Sequence, residues 1–334
     1  MNKAENMRFS RYLLIVSLCI FAVACDKKNK QAQEEEYVSS APTFDADSAF
    51  QFIKDQCDFG PRTMNSEAHD RCGDYLVAQF ECHGAKVYEQ LAELKLYDGT
   101  PINNRNIIAA FNENCPKRII IASHWDSRPW ADHDPDETNH HTPIDGANDG
   151  ASGVGVLLEL ARVFNQTPPP VGVDLICFDA EDCGTPAWVE SGQESESTWC
   201  LGSQYWAGKR HTDGYRADYA ILLDMVAGPN SVFHKEGFSL RMAPMVTDKV
   251  WAAGQRIGYG KYFVSEKGGY VTDDHLPVNQ SGIPCADVIA SDRDNGGFCK
   301  TWHTMDDNIS HIDRNILKAV GQTMCEVIFT ESAQ

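Results

Sequence analysis

The chain has 334 residues, 42% of them hydrophobic, enough to bury a full core and too apolar for a disordered or collagen-like polypeptide. Its formal net charge of −19 repels nucleic acid and anionic headgroups, which excludes a nucleic-acid-binding role.

The first residues do not belong to the fold. Lys3, Arg8 and Arg11 precede an apolar stretch over 13–24 that is too short and wrongly flanked for a spanning helix. It ends Ala22-Val-Ala-Cys25, which resembles a bacterial lipoprotein signal with Cys25 as the lipidated first mature residue. We therefore expect 1–24 to be a signal peptide and 25–43 a lipid anchor and flexible, charged tether. Removing Lys3, Glu5, Arg8 and Arg11 with the signal shifts the charge from −19 to near −21. The expected location is the cell envelope, lipid-anchored and facing the periplasm, with membrane contact only through the anchor.

Residues 44–334 read as one α/β domain. Strand-like runs at 106–111, 118–123, 173–178, 219–223 and 285–289 alternate with helical patterns at 47–56, 67–82, 151–164, 203–209, 245–257 and 312–329. This predicts a central mixed, mostly parallel twisted sheet flanked by helices. The run around Cys177 is continuously apolar, as a strand covered on both faces must be. Two of the twelve cysteines, Cys19 and Cys25, lie in the signal and anchor, and no CxxC occurs. Cys183 and Cys200 bracket a Ser/Glu/Gly-rich loop and are the best candidates for a disulfide in an exported protein. Cys177 is expected to be a buried free thiol.

The chemically loaded residues sit at strand ends. His124-Trp-Asp126 closes one strand; Asp149 lies in a glycine-rich turn, 146–153, that opens a helix, where it could equally be a helix cap. Asp179-Ala-Glu181-Asp182 follows the buried strand, where one carboxylate can bind a metal while its neighbour carries protons. Asp224 ends the next strand, and Asp273-Asp-His275 and Trp302-His-Thr-Met-Asp-Asp307 follow. Strand-end placement in an open α/β sheet predicts convergence in one crevice. Asp149, Asp182 and His303 supply two carboxylates and one imidazole, a donor set suited to catalytic zinc with an open position. The loop 132–141, rich in Asp and His, reads as solvated and outside the site.

In order and spacing these motifs resemble the M28-type zinc aminopeptidase superfamily, and within it the glutaminyl-peptide cyclotransferases, from about residue 44 to 329. Two departures stand out. Ala180 replaces the glycine of Asp-Gly-Glu-Glu, and Asp182 replaces its second glutamate. The resemblance implies a zinc-aminopeptidase-like (phosphorylase/hydrolase-like) fold and one Zn²⁺ per chain on Asp149, Asp182 and His303. It implies Glu181 as proton carrier, Asp224 and Asp273 in the proton network, and Trp302 and Trp188 as walls of the substrate pocket. The implied reaction closes an N-terminal glutamine of peptides and exported proteins to pyroglutamate, releasing ammonia. A monomer is expected. The competing reading is a two-zinc aminopeptidase, for which His124, Asp149, Glu181, Asp182, Asp224 and His303 would also serve. A substrate-capturing lipoprotein without activity is disfavoured by the intact ligands and Glu181.

Overall fold

A computed structural model describes residues 37–189 and 196–333, side chain of Glu196 excepted. The signal, Cys25 and the first part of the tether lie outside these residues. In chain order the elements are α1 (Ala46–Cys57), α2 (Glu67–Cys82), β1 (Lys86–Lys95), β2 (Pro101–Phe111), β3 (Arg118–His124), α3 (Ala151–Gln166), β4 (Gly172–Phe178), α4 (Leu201–Gly208) and β5 (Tyr219–Asp224). They continue with β6 (Ser231–Lys235), α5 (Gly237–Met242), α6 (Pro244–Arg256), β7 (Phe263–Lys267), α7 (His275–Gln280), β8 (Cys285–Ile289), β9 (Ser291–Asp292) and α8 (Arg314–Phe329).

Six strands form the central sheet in the order β1-β2-β4-β3-β5-β8. β1, β2 and β4 pair antiparallel, whereas β3 pairs parallel with β4 and β5, and β5 with β8. Strand alternation divides the core. Ile119, Ile121, Leu175 and Leu223 face the side covered by α1, α3 and α8, while Ile120, Ile176 and Leu222 face Trp206 of α4 and Val278 of α7. The sheet is thus covered on both faces, as the continuous apolar strands require. Because β4 and β5 flank β3 on opposite sides, the strand order reverses at β3, and a crevice opens at the carboxyl ends of these three strands.

Helix starts follow their caps. Asp45 accepts from Asp47 and Ser48 N–H at 2.9 and 3.3 Å to begin α1, and Asp313 caps α8, two residues after the start that periodicity suggested. The elements not anticipated are β1, β6, β7 and β9, which build a sheet edge and a small three-stranded sheet β7-β6-β9, and the six-residue helices α5 and α7. β1 pairs on one side only and mixes Lys86, Glu89, Glu93 and Lys95 among its apolar residues.

Residues 37–43, assigned to the tether from sequence, lie on α8. The Tyr37 and Ser39 hydroxyls each donate to buried Glu326 at 2.5 Å, and Phe44 fills a gap at Gly321 that leaves no room for a Cβ. Among the described residues no helix is long and apolar enough to cross a membrane.

The proposed Cys183–Cys200 disulfide does not form; both are free thiols, as is buried Cys177. Each spends its sulfur on a different oxygen: Cys183 Sγ lies 3.5 Å from the Ala180 carbonyl and Cys200 Sγ 3.3 Å from Glu181 Oε1.

Candidate active site

Three strand-end loops are tied together by carboxylates that grip backbone. Asp126, just beyond β3, accepts the N–H of Glu181 on Oδ1 and of Asp182 on Oδ2, both at 3.0 Å. Asp307 does the same for the glycine-rich turn, taking Asn148 N–H at 2.8 Å and Asp149 N–H at 3.1 Å. That turn is tight: at Gly150 a Cβ would lie 2.5 Å from the His124 carbonyl oxygen. The cap of α3 is Gly150, without a side-chain bond, so Asp149 is free of the capping role left open by its sequence position. Asp179 does not enter the chamber. Its oxygens take His69 Nε2 at 2.9 Å and Arg105 N–H at 2.6 Å, which anchors the base of the Glu181 loop.

The predicted metal ligands come together. His303 Nε2 is 3.1 Å from Asp182 Oδ1 and 3.7 Å from Asp149 Oδ2. One donor atom from each of the three lies within 4.8 Å of the others. All three residues are buried, and Asp182 Oδ2 has no hydrogen-bond partner. Burial, then the neighbouring Asp149 charge, pushes Asp182 up to about 6. Buried like charges with an orphaned oxygen and a convergent imidazole are what a divalent cation would relieve, so the donor set fits zinc. The shorter Asp182 reaches the site because Asp126 holds its backbone.

A second group, His124, Asp149 and Asp224, adjoins the first. His124 Nε2 sits 3.0 Å from Asp149 Oδ1 and 3.2 Å from Asp224 Oδ1. Against the desolvation of full burial, hydrogen bonds to Asp126, Asp149 and Asp224 raise this histidine well above its ordinary pKa, favouring a protonated ring. Glu181 and Asp273 lie beside these groups, with Cys200 between them. Burial lifts Glu181 well above an ordinary glutamate; His124 opposes, and Asp273 and Asp182 add to the rise. Asp273 rises for the same reason, with Asp224 and Asp274 reinforcing it. All the catalytic candidates predicted from sequence, Glu181, Asp224 and Asp273, therefore line one small chamber of about 60 Å³ with the metal ligands.

This chamber opens into a cleft of about 590 Å³ walled by Trp199, Trp302, Phe298 and Tyr270. Trp302 stacks on His303 at 3.9 Å between ring centroids, as its position beside the ligand suggested. Trp188 does not line the cleft. It is 41% exposed and packs on Trp130 and His141, while Trp199 lies parallel to His303 at 6.2 Å and takes the wall. No sequence signal chose between two tryptophans in one polar loop.

The loop 132–141 also needs correction at its first residue. Asp132 is buried, Oδ1 3.3 Å from His303 Nδ1, and its carboxylate is held by Arg128 at 2.6 Å. Burial opposes ionisation, but His303 and Arg128 hold Asp132 well below the usual carboxylate range. The remainder of that loop is largely at the surface.

Comparison with known proteins agrees with the arrangement. The model of peptidase family M28 matches residues 106–328. The glutaminyl cyclase of Bacteroides thetaiotaomicron, solved with N-acetylhistamine, is 55% identical, with 87% of this chain and 100% of that one covered and a TM-score of 0.86. A structure from the same organism described as a leucine aminopeptidase precursor is 54% identical over 88% of this chain and 100% of that one, TM-score 0.85. A Zn-dependent exopeptidase of Parabacteroides distasonis is 49% identical over 87% and 100%, TM-score 0.85. With that family match over 106–328 and 55% identity to a bacterial glutaminyl cyclase, the chain belongs to peptidase family M28, in its glutaminyl-cyclase branch.

Proposed function

We propose that this protein is a zinc-dependent glutaminyl-peptide cyclotransferase with one zinc ion per chain. The observation that carries this reading is the chamber itself: a buried Glu181 beside the Asp149–Asp182–His303 set, closed in by Trp199, Trp302 and Phe298.

Bound by Asp149, Asp182 and His303, zinc would supply a Lewis acid that polarises the side-chain amide carbonyl of an N-terminal glutamine. Glu181 takes a proton from the substrate α-amine and returns one to the departing ammonia; burial raises its pKa, so it holds the proton more readily than an ordinary glutamate. Asp273 and Asp224 hold the proton network around it and orient the amine and amide nitrogens. Trp302 and Trp199 confine the glutamine side chain in its ring-closing shape. Nucleophile and electrophile belong to one residue, so this confinement is a large part of the catalysis. His124 Nε2 lies between Asp149 Oδ1 and Asp224 Oδ1, so this group is the place where a count of bound zinc separates one ion from two.

The second reading, a two-zinc aminopeptidase, is favoured by the donor group His124–Asp149–Asp224 and by the 54%-identical relative described as a leucine aminopeptidase precursor. The test incubates the zinc-loaded protein with a glutaminyl and a leucyl peptide and counts bound zinc. Ammonia release with the peptide bond intact and one zinc is expected. Release of a free amino acid with two zincs would overturn the proposal. We further propose that the mature enzyme is anchored through Cys25 in the cell envelope and acts on exported proteins; fatty-acid labelling lost in Cys25→Ala checks this, and unchanged labelling refutes it.

A further inference from the structure

The loop carrying Glu181 is zipped to the turn that opens α4. Backbone N–H groups of Cys200, Leu201 and Gly202 donate to the carbonyls of Glu181, Ala180 and Asp179 at 3.1, 2.9 and 3.0 Å. At Gly202 a Cβ would lie 2.1 Å from the Asp179 carbonyl oxygen, so the two segments are in closest approach. Main chain alone therefore fixes where Cys200 stands relative to Glu181. On this frame Cys200 Sγ lies 3.3 Å from Glu181 Oε1, within reach of a sulfur hydrogen bond. A carboxylate oxygen of Asp273 shares the same small space, all three donor atoms lying within 4.8 Å of one another.

Two local features argue that cysteine is not there to serve the helix. Cys200 occupies the N-cap of α4, yet its side chain makes no capping bond. Its φ of +56° is left-handed, where glycine or asparagine is at ease. A residue that forgoes both preferences while its side chain turns to a reacting carboxylate marks a functional constraint.

We propose that Cys200 is a positioning residue for the cyclisation. Its thiol donates to Glu181 Oε1 and so leaves Oε2 as the oxygen that meets the substrate amine. The proposal rests on the cyclase reading given above. A carboxylate free to rotate presents either oxygen and loses part of its time in unproductive orientations. The S–H donor removes that freedom without adding charge to a chamber already crowded with carboxylates. Buried at 2% exposure, it does not trade this bond for water.

Serine at this position keeps a donor, alanine removes it, and valine removes it while keeping a filled volume. The experiment measures kcat and KM for ammonia release from a glutaminyl peptide by the full zinc-loaded chain and these three variants. Zinc content and Tm are recorded for each. Loss of a bond to a charged group predicts that Cys200→Ala and Cys200→Val lose about tenfold in kcat with KM unchanged, while Cys200→Ser stays within about threefold. Should Cys200→Ala fail to fold, Cys200→Val is compared with Cys200→Ser in its place. Wild-type kcat in the donor-free variants overturns the proposal. An equal fall in the serine and donor-free variants also overturns it, because packing alone would then explain the loss. A wild-type chain that releases no ammonia sinks the cyclase reading itself, whereas an active wild type matched by its donor-free variants sinks only the role of Cys200.

Discussion

Asp132 Oδ1 faces His303 Nδ1 at 3.3 Å, on the opposite side of the ring from the nitrogen that meets Asp182. A proton on Nδ1, the nitrogen nearer Asp132, would leave the Nε2 lone pair for zinc, and the Arg128 pair keeps the carboxylate ionised and aimed. Asp132→Asn is therefore expected to weaken zinc binding about 10–100-fold, with activity recovered by excess zinc. Competition with a chelating dye measures this; wild-type affinity in the variant would remove Asp132 from the site.

Glu181→Gln keeps the shape of the side chain and removes its ability to carry a proton. We expect kcat to fall by about 10²–10⁴-fold while bound zinc and Tm stay close to wild type. Zinc loss in parallel with activity would instead assign Glu181 to the ligands.

The metal-free protein should lose stability as pH rises. Burial with the Asp149 charge lifts Asp182 to about 6, burial lifts Asp274 to about 7, and burial with Asp149 lifts Asp307 to about 8, each from an ordinary value of 3.8. Between 3.8 and those values the folded state holds more protons than the unfolded chain, so the contribution of these groups is complete below 3.8 and is lost as pH rises through the folded values. The Tm of chelator-treated protein should fall from about pH 5 to about pH 8, and zinc should flatten that slope. A metal-free Tm that climbs over this range would contradict the assignment.

Two tryptophans separate cleanly. Trp199→Ala opens the wall beside His303 and is expected to lower kcat/KM by about tenfold or more, since confinement of the glutamine is lost. Trp188→Ala removes ring contacts with Trp130 and His141, outside the cleft, and should leave kcat/KM within about twofold. Equal losses in a steady-state assay would restore Trp188 to the pocket.

Much of the site was legible because Asp182 and Asp224 stand where apolar strands stop and His303 carries its own local signal. Asp182 follows the buried run of β4, Asp224 ends β5, and His303 is flagged by an aromatic neighbour and two acids. The supporting residues were not legible, because their roles depend on partners far along the chain. Asp126 grips backbone more than fifty residues away, Asp307 grips the turn before Asp149, and Asp132 looked like one acid among many in a polar loop. The exchange of glycine for Ala180 became understandable only with the backbone in view. Ala180 has φ +54°, and Met225 and His303 are likewise left-handed at +50° and +55°, which costs roughly 1–2 kcal/mol per residue. Such positions collect at sites whose surroundings hold them in place. β1 escaped notice because a one-sided edge strand carries charges that dilute its period, and α5 and α7 because six residues are too few to show one.

The pairing of 179–181 with 200–202 separates turnover from admission. Beyond the metal ligand Asp182, residues 183–189 leave this closed neck on the side away from Glu181's backbone bonds, so changes of composition there need not displace Glu181. Trp199 stands at the foot of that loop, within reach of whatever peptide arrives. Diversification of this one loop can therefore retune which N-termini are accepted while the proton-transfer machinery stays insulated, and exchanging it between relatives should transplant peptide preference without transplanting rate.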